Sequence, residues 1–302
     1  MTKPMLAHMY NPDKAIFPCY IQPKLDGVRC IIKYEKGFNP NLDPSYDDRD
    51  KVVAYSRTGK EFKNIEHIKS HLKENFFKRF PNVVLDGELY NHDLRDDFEK
   101  IISLVRKTKP TDEDRLEASR LTQFHCYDII PQGSHGSRDY TYEFRKGFLH
   151  WELPSKYDIN GCVHLISTAY AHNDKMAKLF HKKNLKAGYE GSMYRSIDGY
   201  YKGTRSWDLM KFKDFEDAEA TIVGYELGKG KRTGTIGKFI MQDDEGVEFG
   251  CPPGKGYDYK DLTGMLENIN DYIGQRATFT YFQRTKANSY RHPLFKALRN
   301  YE

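Results

Sequence analysis

The feature that most constrains the fold is the way apolar residues alternate with polar ones in short runs that never settle into a strand–helix–strand repeat. Residues 17–35 alternate around Lys24 and read as a strand, a turn and a second strand, Val28-Arg-Cys-Ile-Ile-Lys-Tyr. Val52-Val-Ala-Tyr-Ser, Val83-Val-Leu-Asp-Gly-Glu-Leu and Phe124 to Ile129 are further strand candidates. Between them, residues 64–79 carry Ile65, Ile68, Leu72 and Phe76 at helical spacing, and Phe98, Ile101, Ile102 and Val105 lie on one helix face. Phe144 to Trp151 and residues 174–186 also read as helices, whereas 39–50, rich in Pro, Asn and Asp, reads as a loop. Without a βαβ period the expectation is an α+β fold of antiparallel sheets with flanking helices.

The pattern changes after Lys213. Asp214-Phe-Glu-Asp-Ala-Glu is acidic and reads as a linker or the start of a new strand. Beyond it, Ala220 to Glu226, Gly237 to Gln242, Val247 to Gly250 and Gln275 to Phe282 are short strands with glycine-rich turns, which predicts a small barrel with one helix at 261–273. The expected domains are therefore 1–214 and 215–302, in keeping with a chain of 302 residues.

Lys24, in Lys-Leu-Asp-Gly-Val-Arg, is a candidate covalent nucleophile. A lysine amine attacks only when neutral, and a free pKa of about 10.4 leaves almost none neutral at pH 7. Burial or neighbouring cations, a metal or Arg29, would have to supply the neutral form. Asp26 would bind a metal or orient the amine, and Gly27 would let the backbone run close beneath a ligand. The hexapeptide read alone is equally a surface Asp-Gly turn.

Five further segments follow in order: Ser56-Arg57-Thr58-Gly59, Leu85-Asp86-Gly87-Glu88-Leu89, Phe124-His125-Cys126-Tyr127-Asp128-Ile129, Glu190-Gly191-Ser192-Met193-Tyr194-Arg195 and Leu209-Met210-Lys211-Phe212-Lys213. Together with the first they resemble the nucleotidyltransferase superfamily of ATP-dependent DNA ligases, RNA ligases and mRNA capping enzymes, over nearly the whole chain. Pro4-Met-Leu-Ala, the form of the first motif and the closing Arg291-His-Pro-Leu-Phe resemble small bacteriophage-type DNA ligases. The resemblance implies a nucleotidyltransferase (adenylation) domain followed by an OB-fold, and sealing of 3′-OH/5′-phosphate nicks in duplex DNA. It implies that Lys24 becomes lysyl-AMP from ATP, with Mg²⁺, or Mn²⁺ in its place, held by Glu88 and Glu190. Those two carboxylates could instead meet the ribose, or be ordinary turn carboxylates. Tyr127 would stack on adenine, unless it is a core tyrosine. Lys211 and Lys213, two apart on a strand, would share a face and reach phosphate oxygens, unless they are solvated. Arg29 would support the site, Arg205 would sit near the AMP phosphate or the nick, and Arg57 would touch the 5′-phosphate side of the nick.

The basic glycine-rich stretch 228–238 contains Lys229, Lys231 and Arg232 and is expected to track the DNA backbone, an inert loop being the alternative. No Walker A pattern occurs. The Arg-x-Asp-Lys sixth motif of eukaryotic ligases and capping enzymes is also absent, so Arg284, Lys286 and Arg291 stand as candidates for orienting pyrophosphate. Arg145 reads as structural. An RNA ligase and a non-catalytic DNA-binding protein with a degenerate ligase core remain as alternatives; RNA ligases usually replace the barrel with another domain.

Composition narrows the setting. Five scattered cysteines without a C-x-x-C argue against a zinc ribbon, a disulfide framework and the zinc-containing NAD-dependent ligases. No stretch has the ~18 apolar residues of a membrane span. The N-terminus lacks a signal-peptide core, so a cytoplasmic protein is expected, in the host cytoplasm if viral. A net charge of +5 permits a polyanionic partner. A monomer without an obligate protein partner is expected.

Overall fold

The computed structural model describes residues 3–36, 51–131, 140–153, 161–285 and 288–299; the stretch 39–50 and Lys286 lie outside them. The chain forms two compact units, Met1–Lys213 and Asp214–Glu302.

The first unit contains strands β1 (Leu6–Met9), β2 (Cys19–Lys24), β3 (Val28–Glu35), β4 (Lys51–Ser56), β5 (Val83–Tyr90), β6 (Gln123–Pro131), β7 (Val163–Leu165), β8 (Ala169–Ala171), β9 (Gly191–Ser196) and β10 (Arg205–Phe212). Its helices are α1 (Glu66–Leu72), α2 (Phe98–Val105), α3 (Asp112–Leu121), α4 (Tyr142–Glu152) and α5 (Asp174–Lys186). The strands build two five-stranded sheets, ordered β1-β10-β9-β2-β8 and β4-β3-β5-β6-β7. All neighbours run antiparallel except β1 with β10 and β6 with β7. This is the expected arrangement of antiparallel sheets flanked by helices.

Strand alternation divides the apolar residues between layers. On β3, Cys30 and Ile32 face the helices, packing with Ile68, Leu72, Phe76 and Phe77 and with Ile101 and Val105 of α2. Ile31 faces the other way. It joins Val84 and Ile130 of its own sheet to Leu209 and Met193 of the first and to Met5, just before β1, so that the two sheets meet face to face. The outer face of the first sheet is covered by α5, whose Ala177 packs on Cys19, Ile21 and Met210.

Two elements differ from the sequence expectation. The helix expected over 64–79 is α-helical only to Leu72 and continues as a π-helical turn, Lys73–Phe77. The wider turn brings the adjacent Phe76 and Phe77 into the core together, both fully buried. Helix α3 carries no apolar stripe, and Ala118 is its one buried residue. Its start is set instead by a capping box, Thr111 with Asp114.

The second unit is built on β11 (Glu216–Leu227), β12 (Ile236–Gln242), β13 (Glu248–Cys251), helix α6 (Tyr259–Glu267), β14 (Arg276–Tyr281), the short pair β15 (Gln283–Arg284) and β16 (Tyr290–Arg291), and β17 (Leu294–Leu298). The five-stranded sheet runs β13-β12-β11-β14-β17. Its edges are tied together after β13: the Gly254 N–H donates to Phe295 O (3.0 Å), and the Phe295 N–H donates to Pro252 O (2.8 Å). Inside lie Ile222, Phe239, Met241, Phe249, Phe279 and Phe295, covered by Leu262 and Met265 of α6. The acidic run after Lys213 is strand from Glu216 onward. The helix is shorter than 261–273, because Asn268 leaves helical geometry and a 3-10 turn follows at Ile269–Asp271.

Candidate active site

Lys24 is the last residue of β2, and Val28 opens β3 in the other sheet. The chain crosses between sheets through Leu25, Asp26 and Gly27, so Lys24 stands where they adjoin. A cavity of about 470 Å³ opens there, a volume suited to a nucleotide-sized ligand. Lys24, Arg29, Arg57, Glu88, Tyr127, Arg205 and Lys211 all line it.

Lys24 Nζ donates to Glu190 Oε2, and Lys213 Nζ sits 2.7 Å from Glu190 Oε1. The backbone holds the pair together: the Glu190 N–H donates to Lys24 O (3.1 Å), and Lys24 is in register with Gly191. A side chain at Gly191, where φ is 153°, would put its Cβ 2.3 Å from Phe212 O, so β9 can start here only with glycine. Burial would raise the Glu190 pKa, but the ammonium groups of Lys24 and Lys213 outweigh it and hold the carboxyl below its usual value. Burial, with the charges of Lys24 and Lys213, lowers the Lys211 pKa. Burial also lowers that of Lys213, against the pull of Glu190. Strand β10 ends at Phe212, so Lys213 lies one residue beyond the strand on which it was expected.

Glu88 faces the cavity from β5. Burial pushes its pKa up to about 8 despite the nearby charges of Lys24 and Arg29. Tyr127 donates to Glu88 Oε2 at 3.4 Å, and the guanidiniums of Arg29 and Arg195 lie over its ring at 5.7 and 5.3 Å. Arg57 is exposed on a tight turn in which the Gly59 N–H donates to Ser56 O (2.9 Å) and the Lys60 N–H to Ser56 Oγ (3.0 Å). Arg205 opens β10 and donates to Ala7 O.

The geometry adds detail to three of the expected positions. Arg29 lines the cavity with Lys24 while its fork grips Asp86, Nε to Oδ1 at 2.9 Å and Nη2 to Oδ2 at 2.6 Å, and Nη1 donates to Met5 O at 2.6 Å. Asp86, completely buried, also accepts from Tyr201 OH at 2.7 Å, so the aspartate of the Asp-Gly-Glu segment is a brace. Asp26 is half-buried and does not contribute to the cavity lining; its charge bears on Lys213 and Tyr90. Gly27 lines the cavity, as expected of a backbone running close beneath a ligand, and it also lies close to protein, since a Cβ there would meet Leu89 O at 2.4 Å and the Glu88 side chain at 2.7 Å.

Two charged cavity residues have no role assigned from the sequence. Arg106 follows α2, and nothing in the helical spacing marks the residue after a helix as cavity-facing. Arg195 could have been found by counting in twos along β9, where Met193 and Arg195 both face the cavity. Arg195 donates to Gln22 Oε1 and to Asp128 Oδ2, each at 2.7 Å. Asp128 is also gripped by Arg145, 2.6 Å from Nε to Oδ1, which makes Arg145 structural as expected.

Among the described residues no cluster of three or more His, Cys, Asp or Glu side chains could hold a metal. Both Glu190 oxygens already accept from ammonium groups, which leaves Glu88 as the carboxylate turned toward the cavity. Such a donor set suits a cation that takes few protein ligands and shares a substrate's phosphates, as Mg²⁺ does.

In the second unit, Lys229, Lys231 and Arg232 are exposed on the β11–β12 loop, in and beside a 3-10 turn, Gly230–Arg232. Arg284 pairs with Asp243 (3.0 Å) and Glu245 (2.8 Å), and Arg291 lies over the Phe282 ring at 5.8 Å. A guanidinium already satisfied by two carboxylates is poorly disposed to bind pyrophosphate. No helix among the described residues is long and apolar enough to cross a membrane.

The sequence matches the family model for the ATP dependent DNA ligase domain over residues 4–213 and that for the DNA ligase OB-like domain over 227–299. The chain belongs to the ATP-dependent DNA ligase family. It is 27% identical to the DNA ligase of Enterobacteria phage T6 over 316 residues, and 26% identical to that of phage T4 over 317, covering 90% of this chain in each case. It spans 62% of the length of either relative. Its fold is shared by a Lig E DNA ligase (TM-score 0.74, 21% identity, 99% of this chain and 100% of that one). The bacteriophage T7 ATP-dependent DNA ligase in complex with ATP is more distant (TM-score 0.55, 18% identity, 99% of each chain). The OB-like match weighs against the RNA-ligase alternative.

Proposed function

We propose that this chain is an ATP-dependent DNA ligase that seals nicks in duplex DNA through a lysyl-AMP at Lys24. The observation that carries the reading is the placement of Lys24 in a cation-lined cavity, with its amine held by a carboxylate that Lys213 shares.

Lys24 Nζ gives up a proton to solvent and, as the neutral amine, attacks the α-phosphorus of ATP. A P–N bond forms, the bond to the β-phosphate oxygen breaks, and its electron pair leaves with pyrophosphate. Glu190 aims the amine. Lys211, whose pKa burial lowers, and Arg205 lie where charge grows on the phosphoryl oxygens. Tyr127 offers an aromatic wall to the base. Mg²⁺, or Mn²⁺ in its place, would be held by Glu88 together with the phosphates and would neutralise part of their charge. Glu190 becomes available to a metal only if it releases a lysine.

In the second step the nick's 5′-phosphate oxygen attacks the adenylate phosphorus and breaks the P–N bond, restoring Lys24. The 3′-hydroxyl then attacks the 5′-phosphorus and AMP leaves. Arg57, exposed on its turn at the cavity, meets the 5′-phosphate, and the loop bearing Lys229, Lys231 and Arg232 follows the DNA backbone. We propose that the protein works as a monomer in the cytoplasm, where ATP is available.

Incubation with ATP labelled at the α-phosphate, then denaturing electrophoresis, tests the first step. The wild-type chain should carry label. Lys24→Ala should carry none, yet should still seal DNA bearing a preformed 5′-adenylate. Label retained on Lys24→Ala would refute the assignment of the nucleophile.

A further inference from the structure

β1 and β10 pair in parallel, but their register jumps. Leu6 and Ala7 lie opposite Arg205 and Ser206, and the next residues, His8 and Met9, lie opposite Met210 and Lys211. The residues from Trp207 to Leu209 therefore have no counterpart in β1, and such a bulge re-aims side chains. Here the Trp207 indole lies flat on the His8 imidazole, with ring centroids 3.8 Å apart and planes within 7°. Trp207 is 41% exposed and belongs to none of the buried clusters of its unit. The stack is flanked on both strands by cavity residues, Leu6 and Ala7 on β1 and Arg205 and Leu209 on β10. An indole left to water forgoes much of the stabilisation that burial would give.

We propose that the outward face of Trp207, backed by His8, is a stacking platform for a terminal nucleotide of the strand being joined. This rests on the ligase reading above and adds to it a contact that favours an interrupted strand. One indole face is taken by the imidazole, and the other can receive a base or a deoxyribose irrespective of sequence. The guanidiniums of Arg57, Arg106 and Arg205 around the same cavity suit the phosphates on either side. A continuous duplex keeps its base faces stacked on one another, and exposing one costs a few kcal/mol. At a break the terminal face is within reach. The occupant is therefore the end of a nicked strand.

The chain has two tryptophans, Trp151 and Trp207. Trp151 is 79% exposed on α4, so a Trp151→Phe protein reports Trp207 alone. A nicked duplex should quench this fluorescence strongly, and the intact duplex of the same sequence far less. Trp207→Ala should raise KM for nicked DNA about 5- to 150-fold, the range expected for losing one base–aromatic stack. Autoadenylation should be unchanged, and Trp207→Phe should recover most of the loss. Equal quenching by intact duplex would overturn the proposal. So would quenching that depends on protein concentration without DNA, or normal sealing by Trp207→Ala. Should Trp207→Ala fail to fold, the Trp207→Phe kinetics and the quenching comparison decide. Absence of autoadenylation in the wild-type chain would strike the ligase reading, whereas normal sealing with an indifferent Trp207 would strike this inference alone.

Discussion

Glu88→Gln is predicted to stabilise the first unit and to flatten its dependence on pH. Burial raises the Glu88 pKa from 4.5 to about 8, even with Lys24 and Arg29 opposing the rise. Below pH 4.5 the carboxyl is protonated in both the folded and the unfolded chain, and it has no effect on stability. Between 4.5 and 8 the unfolded chain gives up the proton while the folded chain keeps it, so stability falls as pH rises, by about 1.36 kcal/mol per pH unit. Over the whole window the loss is roughly 5 kcal/mol, complete above pH 8. Glutamine keeps the shape and cannot ionise, so the variant should match the wild type near pH 4 and exceed it by several kcal/mol at pH 9. Urea unfolding at a series of pH values measures this directly. Both tryptophans lie in Met1–Lys213, so their fluorescence reports the unit that holds Glu88. Parallel profiles for the two proteins would refute the reasoning and would mean that Glu88 is ionised in the folded state. The same raised pKa implies that a divalent cation with ATP must displace a proton. Calorimetry in two buffers of different ionisation enthalpy, done in a Lys24→Ala background so that no proton is released by adenylation, should then show proton release with Glu88 present and none with Glu88→Gln.

Arg57→Ala should form lysyl-AMP at close to the normal rate and seal nicks about 10- to 100-fold more slowly, the effect of losing one charged hydrogen bond to phosphate; equal loss of both steps would move Arg57 to the ATP site. Replacing Lys229, Lys231 and Arg232 together by alanine should flatten the log K against log salt slope of nicked-duplex binding by up to ~2.7, at about 0.9 per phosphate contact; an unchanged slope would leave the loop without a DNA role. Asp128→Ala strands the guanidiniums of Arg145 and Arg195 and should cost about 3–5 kcal/mol in urea unfolding. Loss of less than about 1 kcal/mol would mean that water or neighbouring groups replace the carboxylate.

Periodicity made most of the fold legible. β3, β5 and β6 bury one face under helices, and their alternation shows in the sequence. Helix α3 is invisible to the same reading because a capping box, rather than an apolar stripe, starts it. The apolar spacing over 64–79 does not show where the α-helix ends, because a π-helical turn replaces the regular repeat from Lys73 to Phe77. In the site, the order of motifs led to Lys24, Glu88, Glu190, Lys211 and Lys213, but their pairing needed coordinates. Arg29 looks from the sequence like a cation beside the nucleophile, and it is engaged by Asp86, which is 57 residues away in the chain. Arg106 gave no signal at all.

Gly27 lies between a nucleophile on one sheet and a carboxylate on the other. A methyl group there would collide with the main chain of β5 next to Glu88, whose own side chain is among the nearest atoms. Exchange of this glycine would therefore be felt as a displaced carboxylate rather than as a lost ligand contact. Under selection for the reaction, the position is closed to drift: no single-nucleotide change to alanine, serine or aspartate is accommodated unless β5 moves first, and β5 is pinned on both edges by its neighbours β3 and β6. The crossing from β2 to β3 and the strand beneath it are therefore one mechanical unit, and substitutions are tolerated first in the residues around it.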